Sequence, residues 1–166
     1  MNIAATSSLS LRMFYHSYSS VASGATRKAA STGTLSMADA SALRNAVRKL
    51  EDYDFESATK DQIQEKLQAF TDTMNNAITS ANKYGAGDTS VRNAVSKLKR
   101  LNNEYSSELQ KIGISVDKTG TMSLYDKASK TYSAEKFSKF FDNDSKYLKE
   151  VYDAAKRITR KVDVRL

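Results

Sequence analysis

Cysteine, proline and tryptophan are absent from this 166-residue chain, and histidine occurs once. Without cysteine there are no disulfides, no thiolate metal sites and no cysteine nucleophile, so stability has to come from packing. That absence suits the cytosol, and equally a bacterial protein exported without oxidative folding. Where average proline usage is roughly 5%, a chain with none leaves its helices unkinked and suits a rod-like helical architecture. No stretch approaches the roughly eighteen successive apolar residues of a spanning helix, so no membrane span is expected. Serines and threonines interrupt every apolar run near the start, which argues against a cleaved secretory signal and leaves export by another route open.

The lone His16 excludes a two-histidine metal site or a histidine-based triad within one chain. No glycine-rich phosphate loop precedes a helix; Gly85-Ala86-Gly87 follows one, where capping explains it. Ser57, Ser96 and Ser133 each have a lysine three residues on, a spacing that a chain rich in both residues produces by chance. Asp117 to Leu124 places oxygens at alternate positions as a calcium loop would. Its glycine falls at the fourth position instead of the sixth, and Ala128 stands where the bidentate acid belongs. No catalytic, cofactor-binding or metal-binding residues are therefore assigned, no cofactor is expected, and the chain is read as a non-enzyme.

What is present is 40% hydrophobic and 27% charged residues with a net charge of +7, suited to one domain with a modest core and a basic surface. Residues 1–35 hold no acidic residue, three basic ones and much Ser, Thr, Ala and Gly, so they read as a flexible or partner-ordered segment. Within it Leu11, Phe14, Tyr15, Tyr18 and Val21 recur at helical spacing. Those five are the candidate partner-binding residues; an N-terminal helix docked on the chain's own core is the other reading of the same spacing.

Residues 36–166 read as a single helical domain. Ser36 or Asp39 can cap a first helix running to about Leu50, and Glu51 to Ser57 forms a connector. Thr59 and Gln62 have the spacing of a capping box. From there Ile63, Leu67, Phe70, Met74, Ala77, Ala81 and Tyr84 alternate at four and three, which keeps one apolar seam facing a partner helix. Gly85 and Gly87 offer positive φ for a turn, Asp88 can cap the return, and Val91, Val95, Leu98, Asn102, Tyr105, Leu109 and Ile112 repeat the spacing up to Gly113. A short connection forces the two helices of residues 59–112 antiparallel, seam against seam. Alternating residues around Asp117 to Gly120 predict a β-hairpin over 114–124 on top of the pair. Helices follow within 133–163, the last capped by Asp144, with Tyr147, Leu148, Val151, Tyr152, Ala155, Ile158 and Val162 inward. The fold class is mainly α: an antiparallel helical hairpin or coiled coil, a short β-hairpin and packed C-terminal helices. One internal echo, Leu43 to Leu50 against Val91 to Leu98, matches at six of eight positions and admits two readings, duplication or convergence on one kind of groove.

The run Leu109-Gln-Lys-Ile-Gly-Ile-Ser-Val-Asp-Lys-Thr-Gly-Thr-Met-Ser-Leu124, followed by Lys127 and later Phe140-Phe141, resembles the C-terminal part of the bacterial flagellar filament-capping proteins, hook-associated protein 2. In that family a coiled-coil helix runs into a Leu-x-x-Ile-Gly-Ile-x-x-Asp-x-x-Gly-x-Leu-x-Leu hairpin. With the preceding helix pair, the resemblance covers residues 60 to 142. Family members are longer and carry β-rich domains with no counterpart in this sequence. The resemblance implies a structural protein of a flagellar or related exported assembly, extracellular or at the flagellum by non-classical export. Its partners would be proteins, including flagellar filament or hook components or further copies of itself. The alternative is a cytoplasmic basic adaptor for nucleic acid or an acidic protein, using Lys156, Arg157, Arg160 and Lys161 of the lysine- and arginine-rich last helix.

Overall fold

The computed structural model describes residues 27, 30–125 and 133–162, and among them the protein is mainly helical with one small antiparallel sheet. The elements are α1 (Thr32–Glu51), α2 (Lys60–Tyr84), α3 (Thr89–Glu104), α4 (Ser106–Lys111), β1 (Ile114–Val116), β2 (Met122–Leu124), α5 (Ala134–Phe140) and α6 (Lys146–Lys161).

Local chemistry explains most boundaries. Thr59 and Gln62 form the reciprocal capping box that starts α2, at 3.2 and 2.9 Å. Asp88 accepts the Val91 amide at 3.0 Å and starts α3, whose helical path continues through a hitch at Tyr105 into α4. Gly113, at φ 90°, ends that run and turns the chain into β1. Three expectations need correction. Ser31 caps α1, so the helix begins at Thr32 and residues 32–35 belong to the helical body; Ser36 and Asp39 lie buried inside it. Ser145 caps α6 instead of Asp144. The turn after α2 uses no positive φ at Gly85, which sits at −64°. Glycine is needed there for a close approach, since a Cβ would stand 3.0 Å from the Ala81 carbonyl and 3.1 Å from the Arg92 nitrogen.

The helical hairpin α2–α3 is present, and it is one half of a four-helix ring. Helix α1 packs on α2 and α6, and α3 packs on α6 and α2. Arg44 and Arg48 of α1 reach Thr159 and Tyr152 of α6, and Asn102 of α3 meets Tyr147 of α6, so α6 runs antiparallel to both neighbours. The seam of α2 is wider than a coiled-coil stripe, adding buried Thr71, Thr73, Ile78 and Ser80 to the heptad residues, because two helices must be served. The internal echo falls on α1 and α3, which flank α2 and α6 from opposite sides. Leu43, Ala46, Val47 and Leu50 are buried in the same pattern as Val91, Ala94, Val95 and Leu98. The two strings thus occupy comparable positions in the ring, which both readings of the echo allow.

The β-hairpin pairs Ile114 with Leu124 and Val116 with Met122, and it lies along the middle of the α2–α3 groove instead of topping the helix ends. Two asparagines place it. The Asn75 amide donates to the Met122 carbonyl at 2.7 Å and accepts its N–H at 2.8 Å, closing the outer edge of β2 as a neighbouring strand would. Asn102, fully buried, donates to the Gly120 carbonyl at 2.9 Å. Gly120 stands at φ 82°, and a Cβ there would fall 2.8 Å from the Lys99 Cα. At the end of the bundle where α1 turns into α2, Phe55, hidden in the acidic connector, stacks at 5.8 Å on Phe137 and at 5.9 Å on Phe141, which packs edge-on against Phe70 at 5.7 Å. Each such ring buried contributes on the order of 1.5–3 kcal/mol, so α5 and the connector close that end of the core.

Candidate interaction surfaces

The five residues proposed for partner contact, Leu11, Phe14, Tyr15, Tyr18 and Val21, lie outside the described residues, as does His16. Between that segment and the bundle, Arg27 is described. The Arg27 guanidinium donates to both oxygens of the fully buried Asp39, one bond measuring 2.8 Å. A carboxylate inside a helical interface is tolerated only when a cation and hydrogen bonds satisfy it, so Arg27 is part of the folded body. Beside it a groove of about 570 Å³ opens between the start of α1 and the end of α2, lined among others by Ala30, Leu35, Thr79 and Lys83. Sequence reading missed this ion pair, because Asp39 looks like a helix cap and Arg27 like part of a polar tail.

The four basic residues of the alternative reading occupy the last turns of α6. Arg157, Arg160 and Lys161 are exposed and Lys156 is half-buried, and among the described residues none of them joins an ion pair. One turn earlier the flank of α6 facing α1 carries a constellation the sequence did not reveal. Arg44 and Arg48 both donate to the Tyr152 hydroxyl, the former at 3.1 Å, and their guanidinium carbons stand 5.2 and 5.0 Å from its ring centre. Arg44 also donates to the Thr159 hydroxyl at 3.2 Å. Partial burial pushes the Tyr152 phenol up, but the Arg44 hydrogen bond and the charges of Arg44, Arg48 and Lys156 outweigh it and hold the phenol below its ordinary value. The i, i+4 spacing of Arg44 and Arg48 was the available signal.

No metal or nucleophile geometry gathers among the described residues. No group of three or more histidine, cysteine, aspartate or glutamate side chains could hold an ion. One Asp117 oxygen accepts from the Thr119 amide, the Thr119 hydroxyl and the Thr121 amide at 2.8, 2.7 and 3.0 Å. The Thr119 hydroxyl bond comes first in holding its carboxyl below the usual range, and the loop serves its own turn. Ser57, Ser96 and Ser133 are exposed. No described helix is long and apolar enough to cross a membrane. No protein-family model, curated protein or solved structure matches the chain.

Proposed function

We propose that the chain is a structural helical protein that acts by protein–protein association in a bacterial flagellar or related exported assembly, in the manner of the filament-capping coiled-coil domain it resembles. The observation that carries this reading is how fully the bundle consumes its own apolar residues. Among the described residues Tyr125 is the one large hydrophobic side chain left exposed, so the helical body offers no broad apolar patch. The sequence meanwhile holds a further apolar stripe, Leu11, Phe14, Tyr15, Tyr18 and Val21, ahead of the Arg27 anchor. The turn at Gly113 into a Gly120-closed hairpin also has the form the resemblance implies.

The test is deletion of residues 1–26, retaining Arg27 so that Asp39 keeps its partner. Circular dichroism and melting of the shortened chain should match the full chain while sedimentation velocity shows association lost. Undiminished association rejects the assignment.

A second reading, a basic adaptor for nucleic acid or an acidic partner, is favoured by Lys156, Arg157, Arg160 and Lys161, which join no ion pair among the described residues. It requires duplex binding that weakens steeply with salt, because neutralised phosphates release counterions. Binding indifferent to salt excludes it.

A further inference from the structure

The ring topology sorts charge along the bundle. The start of α1, the end of α2, the start of α3 and the end of α6 share one end. There, among the described residues, Lys83, Arg92, Lys156, Arg157, Arg160 and Lys161 outnumber three acids, Asp39, Asp88 and the exposed Asp153. Asp39 is buried against Arg27, and the Asp88 carboxylate caps α3. The opposite end holds α5 and the start of α6, which carry Lys136, Lys139, Lys146 and Lys149, together with the connector between α1 and α2 and the first turns of α2, where the acids gather. In that stretch Asp52, Asp54, Glu56, Asp61 and Glu65 are exposed, and Lys60 is the one cation among residues 51–65. Among the described residues none of these five acids joins an ion pair. Apart from the half-buried Lys156, these cations and the five acids are exposed.

We propose that the cationic end of the bundle docks the acidic connector of a second copy of this chain, joining molecules head to tail. Complementary patches at opposite ends of one molecule make a heterologous contact, which propagates into a ring or an open row instead of stopping at a two-fold dimer. The net charge of +7 opposes association at long range. At physiological salt that repulsion is screened beyond roughly 8 Å, while facing patches in contact still attract. This deepens the assembly reading by naming a partner, and rests on association being the activity, but uses the bundle ends and not the N-terminal stripe. Asp54 accepts hydrogen bonds from the Ser57 side chain and from backbone amides, which hold its own carboxyl below the usual carboxylate range.

The test uses the full chain in sedimentation velocity over a concentration series at low and high salt. Wild type should form species beyond a dimer at low salt and dissociate as salt rises. The triple variant Arg157→Glu, Arg160→Glu, Lys161→Glu lowers the net charge by six, from +7 to +1. General charge repulsion would then make it associate more; the proposal requires it to lose association at least tenfold. Asp52→Lys, Glu56→Lys, Glu65→Lys should likewise be monomeric, and an equimolar mixture of the two variants should recover association. Among the described residues none of these side chains is seen to make a hydrogen bond, and circular dichroism verifies that both variants fold. A wild type that is monomeric at low salt overturns the proposal, as does a basic-end variant that associates normally, a mixture that stays monomeric, or a monomer whose basic end binds duplex nucleic acid instead. Association that survives high salt and disappears on deletion of residues 1–26 overturns it while leaving the apolar assembly reading intact.

Discussion

The two flanks of α6 solve the same packing problem with opposite chemistry. Toward α3, Tyr147 is buried, and its hydroxyl donates to the Asn102 carbonyl oxygen at 2.9 Å, while the Asn102 amide holds the hairpin. Toward α1, five residues further along, Tyr152 is half-exposed, and its hydroxyl accepts from two guanidiniums that also cover its ring. The first is a neutral network with every member enclosed, so losing one member strands the others. The second is a charged cluster open to water, whose members have solvent as a substitute. Identity of residue type, tyrosine in both cases, says nothing of which arrangement results.

The comparison breaks most severely at Asn102. Asn102→Ala leaves the Tyr147 hydroxyl and the Gly120 carbonyl without protein partners, and at about 1–3 kcal/mol for each stranded buried group the loss should be on the order of 3 kcal/mol in chemical denaturation. Amide exchange in the hairpin should quicken with it; an unchanged hairpin would mean that Asn75 alone suffices. Tyr152→Phe sharpens the other side. It keeps the ring under both arginines and removes only the acceptor, so the cost should stay below about 1 kcal/mol. A loss equal to that of Asn102→Ala would erase the distinction between the flanks.

The smallest effect is in titration. Phenolate absorbance should show Tyr152 ionising below the ordinary tyrosine value of about 10, identified by its absence in Tyr152→Phe, and Tyr147 ionising well above it, because burial opposes its charge. The signs for stability are opposite. Tyr147, raised in the folded state, contributes stability that is complete below pH of about 10 and is lost as pH climbs toward its folded value. Tyr152, lowered in the folded state, contributes stability present above about pH 10 and lost as pH falls through its folded value. The small gap between the unfolding curves of wild type and Tyr152→Phe should therefore widen at high pH.

What could be read from the residues was local. The capping box at Thr59, the Asp88 cap, the Gly113 stop and the hairpin bend are settled within a few neighbouring residues and stand as expected, and so does the inward face of α6 except for Tyr152, which is half-exposed. What escaped depends on distant partners. Ser36 and Asp39 look like caps because nothing nearby announces that Arg27 will claim the carboxylate. Phe55 lies among acids and bends, yet it fills the space between Phe137 and Phe141. Asn102 sits at a seam position where a polar residue reads as a register marker, and its partners come from 18 and 45 residues away. Periodicity found the seams of α2 and α3 but could not show that each also faces a second helix. The basic residues of α6 were legible as a patch; the cations of α2 and α3 join them only once the ring is closed.

The Arg27–Asp39 bond bears on how force would enter this molecule. Tension on residues 1–26 would reach Arg27 before it reached α1, and the far side of that bond is a carboxylate with no water to fall back on. Yielding there would expose or strand a charge in the body of the bundle. Loss of that one contact would leave the Asp39 carboxylate buried without its cation.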